Sequence, residues 1–324
     1  MHVSPRTTTA NANAVATATA RPAAMAAVIA AAMLVFLAAT PVAHSAEIAL
    51  STGEGAVAAQ RKIMCSLEDE KPVYYWWHGR AYSRMPGEAD KLLFLVEGMN
   101  VRQCGTIRHP ERGEGYRLVS REILLYKDPD TGEVLEEWDN PWTGETVEVL
   151  HVTNDPVNGR PTFERTADGE PYQVGLSKKN NAWWMTITVP LFYPNPLGGD
   201  YQPYVGGTYH ATEMFNFMGD IDDLVDAGRH TADVRVGWVR RSQWLPWMKM
   251  GGRHGDIYMH TAGLKINGYD ELSETMKAQI EENYPIYREP PPVDDTRRNV
   301  TSWSYFRSVM EQRREAREEA ESGY

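Results

Sequence analysis

What the chain has little of narrows the reading first. Cysteine occurs twice, as Cys65 and Cys104. An even count in an exported chain permits one disulfide, and two buried thiols are the alternative, since a domain this large does not need the staple. Basic side chains are outnumbered, 33 against 44 acidic ones, for a formal net charge of −11. That balance argues against nucleic acid or an anionic membrane surface as the main partner. Also missing are HExxH, closely spaced histidines on one helix, and any Cys-His pattern, so neither a metal site nor another cofactor is expected. No G-x-S-x-G elbow, Walker-type loop or Rossmann glycine pattern follows a strand. The acidic run Asp220, Asp222, Asp223 and Asp226 lacks the glycine and terminal glutamate of a calcium loop and reads as a short solvated helix.

A long uncharged run occurs near the N-terminus, from Ala23 to Ala43, with Arg21 just ahead and small residues around Ala43-His44-Ser45. Residues 1–46 therefore read as an export signal, cut near Ser45 or Ala46, which predicts a periplasmic or secreted protein. A retained membrane anchor is the alternative, weakened by the dominance of alanine. Cleavage leaves no stable membrane span. It removes Arg6 and Arg21 and no acidic residue, so the remainder is more acidic still.

Beyond the leader the chain is strand-like. After a short helix within Val57 to Leu67, Val73 to Tyr82 and Lys91 to Val101 flank a Met-Pro-Gly turn cluster and read as a hairpin. Tyr116 to Tyr126, Glu133 to Trp138, Thr146 to Thr153, Pro161 to Arg165, Trp183 to Phe192, Thr208 to Phe217, Val234 to Gln243 and Ile257 to Ile266 continue the pattern across Asp, Pro and Gly turns. About ten strands without intervening long helices predict an antiparallel meander, and closure removes its edges. The expected fold is mainly β, a lipocalin-like barrel over residues 47–285, with a β-sandwich as the alternative. C-terminal helices complete it: Asp270 to Glu282 with Asp270 as N-cap, then a Pro-rich spacer and a charged helix, Ser302 to Glu319, within residues 286–324.

Several longer phrases stand out together: Glu97 to Arg102, Tyr116 to Glu122, Asn140 to Glu145, Pro190 to Leu197 and Trp244 to Gly251. Over roughly residues 60 to 285 they resemble the bacterial and fungal family called domain of unknown function eighteen-thirty-eight. That resemblance implies no activity, substrate or catalytic residue, so function rests on chemistry.

Strand alternation organises the candidates. In Tyr209 to Phe217 it puts His210, Thr212, Met214 and Asn216 on one face and Glu213 with Tyr209, Phe215 and Phe217 on the other. His210 and Asn216 are candidates for orienting a polar ligand group. Glu213, a carboxylate among aromatics, is a candidate acid/base, and the competing reading pairs it with an arginine of a neighbouring strand such as Arg235 or Arg121. Arg117 and Arg121 share a face and are candidates for clamping an anionic group, with outer-face ion pairs as the alternative. His151, beside Asn154 and Asp155, is a candidate proton-transfer group or a tie for its turn. The many tryptophans serve the core, and some line a cavity mouth. The expected function is binding of a small lipophilic or aromatic molecule in a barrel cavity. The alternatives are an enzyme using that cavity for acid-base chemistry of hydratase, isomerase or hydrolase type, and docking of a partner by the C-terminal helix. The oligomeric state is left open.

Overall fold

In the computed structural model, residues 46–198 and 205–322 are described. The expected leader, apart from Ala46, lies outside them. Among the described residues no helix is long and apolar enough to cross a membrane.

The long strands lie where the phrases place them, though β2 runs eight residues past Val101 and the single strand expected over Thr146 to Thr153 is two short ones in different sheets: β1 Val73–Arg84, β2 Lys91–His109, β3 Gly113–Lys127, β9 Ala182–Pro194, β10 Thr208–Asp220, β11 Arg235–Gln243 and β12 Asp256–Ile266 are the long ones. Between β3 and β9 come short pieces, β4 Glu137–Asp139, β5 Thr146–Glu148, β6 Val152–Asn154, β7 Thr162–Phe163 and β8 Ser177–Lys179. All pairings are antiparallel, in the order β6-β3-β2-β1-β12-β11-β10-β9-β8, with β7 also on β3 and β4 paired to β5 alone. Two meanders therefore meet where the first long strand pairs with the last, Tyr74 opposite Ile266 through Arg84 opposite Asp256. The path is open: among the described residues no pairing joins β8 to β6 or β7, so the ladder does not close as the barrel expectation required.

The sheet curls instead. Glu122 of β3 and Arg240 of β11 line one cavity although β2, β1 and β12 lie between their strands. The seam β1–β2 shows how tightly the concave wall is packed. Trp77 stands opposite Gly98, and a Cβ on Gly98 would lie 2.4 Å from the Trp77 Nε1 atom, so only glycine fits beneath the indole.

Helices close the ends of the curl. α1 (Gly53–Met64) is capped by Thr52, whose hydroxyl accepts from the Gly55 N–H at 3.0 Å. Its last carbonyls are taken by the sheet: Tyr75 Oη donates to Ile63 O at 2.5 Å, and Lys265 Nζ to Lys62 O and Cys65 O at 2.7 and 2.6 Å. Just after α1, Cys65 is disulfide-bonded to Cys104 of β2, both fully buried. α2 (Ile221–Val225) is the short acidic helix read from the sequence.

The convex face of β1–β3 is covered by α3 (Glu274–Asn283), whose Met276 and Ile280 pack on Met99, Val101 and Ile123. Its cap is Ser273, not Asp270, which falls in a single 3₁₀ turn; the Ser273 hydroxyl accepts from Met276 N–H at 3.0 Å and donates to Glu97. The segment read as a spacer is a strap laid on the sheet. Gln103 Nε2 donates to Pro291 O at 2.6 Å, and Asn299 and Asn158 exchange hydrogen bonds at 2.7 and 2.9 Å. It leads to α4 (Ser302–Ser322), whose first turns bury Trp303 and Phe306 before the charged remainder runs into solvent. The Trp303 indole stacks on Tyr209 with centroids 5.0 Å apart and planes 5° from parallel, shutting the end opposite α1.

Candidate functional site

The concave face holds a cavity of about 270 Å³, just under the roughly 300–1,000 Å³ usual for small-molecule sites. Strand parity decides what enters it. β10 contributes Glu213, Phe215 and Phe217, β11 Val236, Trp238 and Arg240, β1 Tyr75 and Trp77, β2 Asn100 and Arg102, and β3 Ser120, Glu122, Leu124 and Tyr126. Val157 to Gly159, hydrogen-bonded along β3, and Ser302 at the start of α4 complete the wall.

One side of this space is aromatic without interruption. The Arg102 guanidinium lies 4.6 Å over the Tyr75 ring. Tyr75 meets Phe217 edge-on at 6.1 Å, Phe217 stacks on Phe215 at 5.9 Å, Phe215 on Trp238 at 6.4 Å, and Trp238 faces Trp77 at 6.1 Å. Three polar atoms of its lining residues are buried with no hydrogen-bond partner among the described residues: Trp77 Nε1, Trp238 Nε1 and Tyr126 Oη. Buried polar atoms are paired in the great majority of cases, because each orphan costs about 1–3 kcal/mol. Two of these donors are indole N–H groups, which cannot turn to find another partner.

Four charges share the space. Glu213 stands in register with Arg240 and accepts a hydrogen bond from its Nη1, the side chains being 19% and 13% exposed. Burial alone would lower the Arg240 pKa; the Glu213 carboxylate, then Tyr126 and Glu122, hold it above its ordinary value. Glu122 accepts from Asn154 Nδ2 at 2.6 Å and forms no ion pair among the described residues. Burial, reinforced by the Glu213 carboxylate, lifts its pKa to about 6 against the pull of Asn154, Arg240 and Arg102. Arg102 donates through Nε to Asn100 Oδ1 at 2.6 Å and through Nη1 to Met64 Sδ at 3.8 Å, and it too lacks a carboxylate partner among the described residues. Burial pulls its pKa below the usual value.

The residues singled out from sequence are not gathered here as a group; Glu213 alone of them lines this cavity. It pairs with an arginine of the neighbouring strand, Arg240 and not Arg235 or Arg121. His210 and Asn216 take the convex face, His210 against Phe192 at 5.2 Å and Asn216 accepting from Thr186 at 3.0 Å. Arg121 is also outside. Its Nε donates to Asp155 at 2.7 Å and its Nη1 to the carbonyls of Ile286 and Glu289, at 2.7 Å each, so it fastens the strap. Arg117 shares that outer parity and does not line the cavity. His151 borders a shallow depression near α3, accepts from Tyr126 N–H at 3.2 Å and stacks on the Tyr126 ring at 6.0 Å. Burial depresses its pKa to about 4, leaving it neutral at ordinary pH. Arg121, His151, His210 and Asn216 therefore do not converge on one cavity, because strand parity and the direction of curl send them outward.

Trp77 and Trp238 are among the tryptophans expected to serve the core or line a cavity, but the polar residues that converge with them, Glu122, Arg102, Arg240 and Tyr126, are not among the sequence candidates. On β3 the face carrying Ser120 and Glu122 turns inward, and the face carrying Arg117 and Arg121 turns outward. A signal existed: Glu122 lies between Leu118 and Leu124 on its face, a carboxylate among aliphatics. Among the described residues no three His, Cys, Asp or Glu side chains group to hold a metal ion. A family model described as a protein of unknown function, DUF1838, matches residues 70–310. The match reaches past the sheet through the strap and into α4. No curated protein matches the chain.

Proposed function

The chain belongs to the DUF1838 family, and from that premise we propose that it is an exported binding protein whose barrel-like curl holds one small, mainly apolar or aromatic molecule. The supporting observation is the aromatic-lined cavity, with Tyr75, Trp77, Phe215, Phe217 and Trp238 along one side and four charged groups beside them. A small molecule with an apolar or aromatic body fills that space and displaces water from the rings. The site of action is the periplasm or the cell exterior. The leader composition and the Cys65–Cys104 bridge support that placement.

The test is native mass spectrometry of the mature protein purified from its own host, followed by organic extraction and titration of candidate ligands against tryptophan fluorescence. A bound species at one per chain is expected, with saturable quenching that weakens in Trp238→Phe. No retained species and no saturable quenching by a panel of apolar acids, alcohols and ketones would overturn the reading. Glu122 favours a second reading, acid-base chemistry on the bound molecule, because a half-buried carboxyl with a pKa of about 6 exchanges protons near neutral pH. Turnover of the extracted ligand that Glu122→Gln abolishes while binding persists separates catalysis from carriage.

A further inference from the structure

The cavity's charges are unequally committed. Glu213 and Arg240 neutralise each other, whereas Arg102 and Glu122 lie on neighbouring strands and in diagonal register, Arg102 opposite Ser120 and Glu122 opposite Asn100, without forming an ion pair. A guanidinium half-buried against an aromatic wall gives up part of its hydration unless an anion and further hydrogen bonds replace the water. Arg102 makes one strong neutral bond, to Asn100, a weak contact with the Met64 sulfur, and a stacking contact with the face of Tyr75. Its position is nonetheless fixed: Asn100 is itself held by Ser120, to which Nδ2 donates at 3.3 Å, and Ser120 by the carbonyl of Val157. A guanidinium oriented by neutral partners and left without a carboxylate is the arrangement that receives an anionic headgroup.

Resting on the binding reading above, we infer that the ligand is an amphipathic carboxylic acid whose carboxylate docks on Arg102 and whose apolar body lies along Phe217, Phe215 and Trp238. The aromatic wall begins at the guanidinium and leads away from it, so head and body are addressed in one direction. Glu122 makes the charge balance close. An acid entering in its neutral form breaks its O–H bond, the proton goes to the Glu122 carboxylate, and the ligand carboxylate pairs with Arg102. The cavity then carries the same net charge before and after. Glu213 and Arg240 face the same space and stay paired with each other throughout.

The test compares octanoic, decanoic and 2-naphthoic acids, each with its own primary amide, by isothermal titration against the mature protein at pH 6.5. The acid is expected to bind roughly 10- to 100-fold more tightly than its amide, as hydrogen bonds to a charged group allow. In Arg102→Met that preference disappears; in Arg102→Lys, which keeps the cation, part of it survives. The preference is a ratio within one protein, so a general loss of stability does not imitate it. Amides that bind as well as acids overturn the inference and leave the apolar pocket standing. If neither acids nor amides bind, the pocket reading falls and this inference with it.

Discussion

Glu122→Gln tests the electrostatics of the cavity without any knowledge of its ligand. The glutamine is neutral and nearly the same shape, and its Oε1 keeps the acceptor for Asn154 Nδ2, 2.6 Å away in the native protein. A carboxyl at about 6 in the folded chain, against 4.5 for a free side chain, binds its proton more tightly when folded. The stability that this contributes is fully present below about pH 4.5 and is lost as pH rises through 6. At roughly 1.36 kcal/mol per pH unit the loss comes to about 2 kcal/mol. The variant, unable to ionise, avoids it. Urea unfolding at pH 7.5 should therefore find Glu122→Gln more stable than the native chain by about 2 kcal/mol, which for a domain of this size raises the melting temperature by about 4–8 °C. At pH 4.5 most of the gap should close. His151 titrates with the opposite sign, its depressed pKa costing stability as pH falls from 6.5 toward 4, but it is present in both proteins and cancels in the difference. A gap that is constant with pH, or one that widens as pH falls, would refute the assignment of a half-buried, proton-binding Glu122.

Packing and covalent structure give two more expected outcomes. Glu213→Leu leaves Arg240 without its carboxylate and should destabilise the fold by about 3–5 kcal/mol, whereas Glu213→Leu combined with Arg240→Met should cost clearly less than the two single changes added together; urea denaturation of the native chain, the two single variants and the double variant measures the coupling. Replacing both Cys65 and Cys104 by serine opens a loop of 39 residues and should lower stability by up to about 4 kcal/mol, with unfolding midpoints of the variant then insensitive to reductant. A serine pair as stable as the native chain would show that α1 and β2 are held together in the unfolded ensemble by other means.

Local chemistry wrote most of the elements into the chain. Alternating aromatics and aliphatics between Pro, Gly and Asp turns specify the long strands, because each must bury one face and because turn dihedrals are set by the residues within the turn. The separation of His210 and Asn216 from Glu213 was equally legible, since neighbouring side chains on a strand point to opposite sides. The short pieces from β4 to β8 were harder to read: at two or three residues each they take their pairing from the body they lie on.

Which side of each strand is the inside was settled by the tertiary structure alone. β10 is amphipathic in two senses, polar-aromatic on both faces, so periodicity gives no sign for its curvature. The choice falls to non-local pairing. β1, the first long strand, joins β12, the last, the sheet curls, α3 and the strap cover the outside of β1–β3, and the concave face receives Glu213 rather than His210. The same curl carries Glu122 of β3 into one space with Arg240 of β11, two residues that no spacing in the chain relates. Sequence by itself determined the strands, their parity and the stock of charged and aromatic side chains. Only the fold decided which of those charges share a low-dielectric cavity, because that depends on contacts between strands more than a hundred residues apart, and no local rule reaches so far.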